Sequence, residues 1–419
     1  MASFGGPAPA EVAAAVADAH RREWAYVLAA TVRVTRDIDL AEECVQDAYA
    51  SALSAWPAQG VPAKTGAWLT TAARNRALDL LRRSQTARRY LPLLLDDPAI
   101  PGPEPADESD IPDDRLRLIF TCCHPGIAVE AQVALTLRLL CGLTTAEVGR
   151  AFLVSEPTMA ARITRAKKKI ATARIPYRVP SAADLPERID AVLSVIHLLY
   201  ATGHTAPSGD NLVRLDLVER SLDLARMLRE LLPHDLGVAA LLALILLTDA
   251  RRGTRTDPQG RLVLLPDQDR SRWDSRAISE GISLVREALR SRPPGRYALM
   301  AAISAVHSES PSWAATDWAE LVGLYDLLVA TWPSPVVALN RAVAVGFARG
   351  PLAGLSALDE LSDEPQLAHY SYLALARAEF LTKLGRVVEA RLAYTEALML
   401  TENSVERDFL EGRLAALSS

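Results

Sequence analysis

Cysteine is scarce in this 419-residue chain, at four residues: Cys44, Cys122, Cys123 and Cys141. So few thiols over such a length do not make the disulfide framework of a secreted scaffold, and a reduced cytoplasm is expected. Long apolar runs are missing as well. The most apolar stretch, Leu236 to Thr248, falls short of the roughly 20 residues that cross a bilayer. The start, Met1 to Glu11, lacks a basic segment followed by an apolar one, so no signal peptide is expected. Nor is there an overall excess of positive charge. The net charge of −5 argues against a generic polyanion binder.

Aromatic residues make up only 5% of the chain, while half of it is apolar, chiefly Ala and Leu. Small and unbranched side chains lose little freedom in helices, so helix-on-helix packing and an all-α fold are expected. The length suggests about two or three domains.

The charge that averages to −5 is sharply segregated. Arg74 to Arg89 holds six Arg (74, 76, 82, 83, 88, 89) against one Asp (79). Asp96 to Asp114 holds eight acids and no base, with five prolines. Arg162 to Arg178 holds seven bases and no acid. Two basic helices separated by an acidic, proline-rich tether call for a function. Such a tether cannot bury a core and is expected to be a flexible linker.

Residues 11–56 read as amphipathic helices, with Cys44, Ala48 and Ala52 recurring on one face. Gly60 to Gly66 reads as a loop, and Ala67 to Arg89 as a helix with Trp68, Ala72, Leu78 and Leu81 near one side. Helices resume at Arg115 and run to about Arg174. From Leu185 onward helix follows helix, interrupted between Arg251 and Asp274. Leu384-Gly-Arg386, Ala390, Tyr394 and Ala397 match the small and aromatic positions of a tetratricopeptide unit, and Pro335 to Arg349 resembles the first helix of an earlier one.

Leu143 to Ile170 reads as a helix-turn-helix. Thr144 to Glu147 forms a capping box. Val148, Ala151 and Phe152 supply an apolar face, and Gly149 is small where two helices cross. Ser155 is the expected N-cap of the second helix, and Pro157 sits in its first turn. The turn position often filled by Gly is Leu153, where a positive φ would be costly. A helix-turn-helix directs the start of its second helix at base edges and its basic side chains at phosphates. An ordinary helical hairpin with a solvated basic face has the same periodicity.

The segment from Trp68 to Arg83, Trp-Leu-Thr-Thr-Ala-Ala-Arg-Asn-Arg-Ala-Leu-Asp-Leu-Leu-Arg-Arg, preceded by Ala41-Glu-Glu-Cys-Val-Gln-Asp47, resembles region 2 of the extracytoplasmic-function sigma factors of the sigma-70 superfamily. Leu143 to Ile170 resembles region 4 of the same family. Leu118 to Pro125, Arg261 to Trp273 and Pro333 to Val343 resemble the subgroup with a C-terminal tetratricopeptide-like extension. The likeness covers nearly the whole chain and implies five segments: region 2 (11–92), linker (93–114), region 4 (115–178), a helical extension (181–290) and tetratricopeptide-like repeats (291–419).

The resemblance implies binding to core RNA polymerase through the β′ clamp helices and the β flap. Glu42, Glu43, Gln46 and Asp47 are the contact candidates on region 2. It implies that Asn75 and Asp79 lie near a flipped base of the −10 promoter element, with Arg74, Arg76, Arg82 and Arg83 on the backbone. For the −35 element it implies Thr158, Ala161, Arg162 and Arg165 at the leading turns and Lys167, Lys168 and Lys169 on phosphates. Ala160 and Ala161 depart from the family, which often has a base or Ser there, although Ala can meet a thymine methyl. Tyr200-Ala-Thr-Gly-His204 departs from the family's Asn-Glu-Gly-Tyr. The acidic linker would lie in the polymerase's RNA channel, or serve as a solubilising tether.

Cys122-Cys-His124 lacks a second ligand pair, so buried thiols rather than a metal are expected. Asp267, Asp269, Arg270 and Asp274 read as a capped surface loop, with a small-molecule pocket as the other reading. His197, His204 and His307 are isolated. No cofactor is expected, and no nucleophile–base pair or phosphate loop suggests an enzyme. The extension could regulate in cis or bind a protein partner. A one-component helix-turn-helix regulator with a tetratricopeptide sensing domain is the alternative reading, but it leaves Trp68 to Arg83 without a role.

Overall fold

The computed structural model describes residues 9–90, 114–152, 154–181 and 183–417. The acidic tether (except Asp114) and the turn residue Leu153 lie outside them. The fold is all-α. The described residues form eighteen α-helices, one parallel pair of two-residue strands and an isolated bridge. They group into two compact units, Met1–Val195 and Ile196–Ser419.

The first unit opens with three mutually packed helices, α1 (Pro9–Thr35), α2 (Ile38–Gln59) and α3 (Thr65–Tyr90). In α1 the buried positions Val12, Val16, Ala19, Val27, Leu28 and Val32 recur at three- and four-residue spacing, so one stripe faces the core. Asp37 starts α2 by accepting the Leu40 amide at 3.0 Å. On α3, Leu69, Ala73 and Ala77 are fully buried. Two alanines a turn apart let α3 lie close to its neighbours, while Arg74, Asp79, Arg82 and Arg83 are exposed. Trp56, fully buried, meets Trp68 edge to face at 5.6 Å; truncating such a side chain costs about 3–5 kcal/mol.

Four shorter helices follow: α4 (Asp114–Cys122), α5 (Val129–Leu139), α6 (Thr145–Ala151) and α7 (Glu156–Thr172). Leu116, Leu118, Leu135, Leu137, Leu139 and Met159 form their interior, each with under 2% exposure. Cys122 and Cys123 are buried here, and burial pushes both thiols up, that of Cys123 to about 12. Helix α8 (Leu185–His204) runs from the first unit into the second.

The second unit is built around α10 (Leu236–Asp249), buried continuously from Val238 to Leu247. Apolar on every side, it is sheltered by α9 (Leu215–Leu231), α11 (Ser275–Ala288) and α12 (Arg296–Glu309). Helices α13 (Trp318–Thr331), α14 (Pro335–Arg349), α15 (Pro351–Asp359), α16 (Ser371–Lys383), α17 (Val387–Leu400) and α18 (Ser404–Ala416) continue as packed successive pairs. Ala390, Tyr394 and Ala397 are fully buried between α16 and α17, and Gly385 takes φ +71° at the turn between them. The strands, β1 (Ser208–Gly209) and β2 (Glu402–Asn403), join the loop after α8 to the start of α18. There Asn403, fully buried, donates to the Ala206 carbonyl at 3.1 Å and the Asn211 carbonyl at 2.9 Å, while its Oδ1 caps α18.

The segment from Arg251 to Asp274 is a compact connector. Trp273 Nε1 donates to Thr254 Oγ1 at 3.0 Å, Thr254 donates to Gln268 at 3.3 Å, and Gln268 donates to the Val263 carbonyl at 3.0 Å. Asp269 accepts from Ser271, and Asp274 caps α11. Arg270 crosses to α12, whose terminal carbonyls at His307 and Ser310 accept from it at 2.6 and 2.8 Å. The acidic residues of this loop thus act mainly as caps, as its sequence suggested.

Candidate nucleic-acid interface

Two basic surfaces are built in different ways. On α3, spacing by three and four residues places Arg74, Asn75, Asp79, Arg82 and Arg83 in the open, opposite Leu69, Ala73 and Ala77. Arg76 is half-buried because its guanidinium reaches back to α2, where Nε donates to Asp47 Oδ2 at 2.8 Å. That bond holds Arg76 above its ordinary pKa range. Two residues assigned to different partners, Asp47 and Arg76, therefore occupy each other. Glu43 and Gln46 remain exposed on α2.

A groove of about 660 Å³ opens one turn before Asn75. Asp18, Arg22, Glu23 and Tyr26 of α1 form one wall, and Lys64 to Ala67 with Thr70 and Thr71 form the other. Tyr26 is 46% exposed, an accessible ring on the edge of the groove. Gly66 faces the Glu23 side chain of α1, whose flexible carboxylate end an added Cβ would displace. The groove is not legible in the sequence because its walls, residues 18–26 and 63–71, are far apart in the chain.

The helix-turn-helix is present in α6 and α7. The Thr144 amide donates to Glu147 Oε2 at 2.7 Å and the Glu147 amide to Thr144 Oγ1 at 3.2 Å, completing the capping box. Val148 is fully buried, and a Cβ on Gly149 would stand 3.1 Å from the Val154 carbonyl. Ser155 occupies the N-cap position of α7 but makes no side-chain cap bond; its hydroxyl pairs with Thr158 at 2.8 Å instead. Met159, Ile163, Ala166 and Ile170 turn inward. Thr158, Ala161, Arg165, Lys168 and Lys169 therefore face outward, while Arg162 lies half-buried over the Phe152 ring at 5.9 Å.

Lys167 is the exception on α7. Its ammonium pairs with Glu42, and with Asp39 at 2.6 Å, both on α2. Burial pulls this amine down, but the two carboxylates outweigh it and hold it above its ordinary range. Glu42 is only 5% exposed, and Arg138 Nη2 lies 2.9 Å from its Oε1. Trp24 Nε1 of α1 donates to the Leu139 carbonyl at 3.0 Å, and Gly142 abuts His20 and Trp24. Tyr177 donates to the Ala29 carbonyl at 2.9 Å. The helix-turn-helix group thus rests on the α1–α2 face.

Comparison with known proteins follows this layout. Residues 19–87 match the family described as Sigma-70 region 2, and residues 117–170 match Sigma-70, region 4. The chain belongs to the sigma-70 superfamily. Residues 188–289 match a family of unknown function (DUF6596), which spans α8 to α11 and the Arg251–Asp274 connector. An uncharacterized protein of Rhizobium meliloti (strain 1021) is 40% identical over 397 residues, covering 94% of this chain and 93% of that one. Regions 2 and 4 together with a C-terminal domain fit a sigma factor of the extracytoplasmic-function kind with an extension, and place the chain in transcription initiation. Among the described residues no helix is long and apolar enough to cross a membrane.

Proposed function

We propose that this protein is an alternative sigma factor that recruits core RNA polymerase to a specific class of promoters. The observation that carries the reading is the pair of basic helices, α3 beside an aromatic-edged groove and α7 behind a helix-turn-helix, in one chain. Glu42, Glu43, Gln46 and Asp47 dock on the β′ clamp helices, with region 4 on the β flap. Asn75 and Asp79 read an unstacked base of the −10 element, and Tyr26 offers that base a stacking surface. Arg74, Arg76, Arg82 and Arg83 hold the backbone. Thr158, Ala161, Arg162 and Arg165 read the −35 duplex, and Lys167, Lys168 and Lys169 bind phosphates. Bond-making stays with the polymerase. The extension, more than half of the chain, regulates these steps in cis or through a bound protein.

The test is transcription in vitro with purified core polymerase on a library of genomic promoter fragments. A transcript that requires this protein and is lost with Asn75→Ala is expected. Duplex binding without polymerase association or initiation would overturn the reading. In the same assay, a chain ending at His204 with unchanged output would remove the regulatory role of the extension.

A further inference from the structure

We infer that Arg251, Arg270 and His307 form a binding site, within the second unit, for the phosphate group of a small molecule. The inference goes beyond promoter recognition and does not depend on it. The Arg251–Asp274 connector is drawn closed at its base. The Asp274 amide donates to the Ala250 carbonyl at 2.9 Å, and the Trp273 indole donates to Thr254 at 3.0 Å. Closure brings Arg270 back toward Arg251. Both lie near His307 on α12, so that each arginine's charge acts on that ring.

Part of this cluster has a structural use. The ends of α8 and α12 leave carbonyls that need donors, and arginines supply them. Arg255 donates to the His204 carbonyl and to Thr205 Oγ1, the latter at 3.1 Å, and Arg270 Nη1 serves the His307 and Ser310 carbonyls. The donors exceed that need. Arg270 Nη2 and His307 Nδ1 are buried without a hydrogen-bond partner. Among the described residues no carboxylate pairs with Arg251, Arg255 or Arg270. The acids close by are engaged elsewhere, Asp249 with Arg252 at 3.6 Å and Glu406 with the Tyr372 hydroxyl. Guanidinium groups gathered in a half-dry place repel one another and lose hydration. Burial, then Arg255 and Arg270, pull Arg251 down to about 10, which leaves it charged at neutral pH. A phosphate monoester, with a charge of about −2, offsets such a cluster better than a monovalent carboxylate does. Its oxygens match the guanidinium fork, and His307 Nδ1 can carry a proton toward one of them. Arg251, Arg270 and His307 each keep part of their surface in solvent, so a small ligand can reach them.

The site carries its own reporters. The Arg270 guanidinium lies over the Trp273 ring at 4.5 Å, and Trp313 and Trp318 both meet the His307 ring. The experiment titrates the full chain with potassium phosphate, against potassium chloride of matched ionic strength, and follows tryptophan emission. A saturable change is expected with phosphate. Potassium acetate should act at least about tenfold more weakly, and Arg251→Gln should weaken phosphate binding at least about tenfold. No saturable response in the wild type, an equal response to acetate, or unchanged affinity in Arg251→Gln would overturn the inference. Should that variant not fold, modification of the wild-type arginines by phenylglyoxal, read residue by residue, decides. Phosphate must then protect Arg251 and Arg270 while the exposed Arg290 reacts as before. Equal modification of Arg251 and Arg270 with and without phosphate refutes the site.

Discussion

Lowering the pH from 7.5 to 5.0 should weaken the second unit through histidines that the fold keeps neutral. Burial, reinforced by Arg251 and Arg270, pushes His307 down to about 4 from an ordinary 6.5. Burial and then Arg296 do the same to His197, also to about 4. Burial with Arg255, Arg251 and Arg252 takes His204 to about 2. In each case the unfolded chain takes up a proton as pH falls through 6.5, while the folded chain does so only well below. Stability is therefore complete above about pH 6.5 and is lost as pH falls toward 4. At pH 5 the loss amounts to about 2 kcal/mol per histidine. With a urea dependence of about 2 kcal/mol per molar, each site lowers the midpoint by about 1 M. His307 stacks with Trp313 and meets Trp318 edge to face, so tryptophan fluorescence reports on its surroundings. His307→Gln should shrink the fall in midpoint between pH 7.5 and 5.0 by about 1 M relative to wild type. An acid whose pKa burial raises, such as Asp249, acts in the opposite direction in both proteins and cancels in the comparison. An equal fall in variant and wild type would refute the assignment of this pH dependence to His307.

Asn403→Ala should destabilise the second unit by about 2–4 kcal/mol, since it strands the buried Ala206 carbonyl, removes the bond to the Asn211 carbonyl and removes a helix cap; a change under about 1 kcal/mol in urea unfolding would show those bonds to be dispensable. Arg165→Ala should lower the salt dependence of binding to −35 duplex by about 0.9 in the log–log slope if Arg165 contacts one phosphate. An unchanged slope measured between low and moderate salt would remove it from the backbone contacts.

Much of this molecule is written locally in its sequence. The capping box at Thr144 and Glu147, the small residue at Gly149 and the apolar stripe of α7 depend on neighbours within a few positions, and each is found in place. The same holds for Ala390, Tyr394 and Ala397, whose spacing alone marks a close helix pair. Ser155 shows the limit of such reading: its position follows from the pattern, but its hydroxyl has two nearby choices and takes Thr158. Glu42 shows a deeper limit. It stands in an acidic run with Glu43; spacing puts Glu42 on the stripe of Ile38, Val45 and Tyr49, but a carboxylate there has no partner nearby in the sequence that would make its burial tolerable. The distinction comes from Lys167, 125 residues away, and from Arg138. The groove beside Asn75 was hidden for the same reason.

The bonds of Asn403 fasten α18 to a loop 197 residues earlier in the chain. An open array of helical repeats can lengthen or shorten by whole units, because its last unit touches only the one before it. Here the final unit is measured against the first. Inserting a repeat between them would carry Asn403 away from the Ala206 and Asn211 carbonyls and leave the buried Asn403 amide and Ala206 carbonyl without these partners. The extension therefore behaves as a part of fixed size, whose helices vary by substitution and not by duplication.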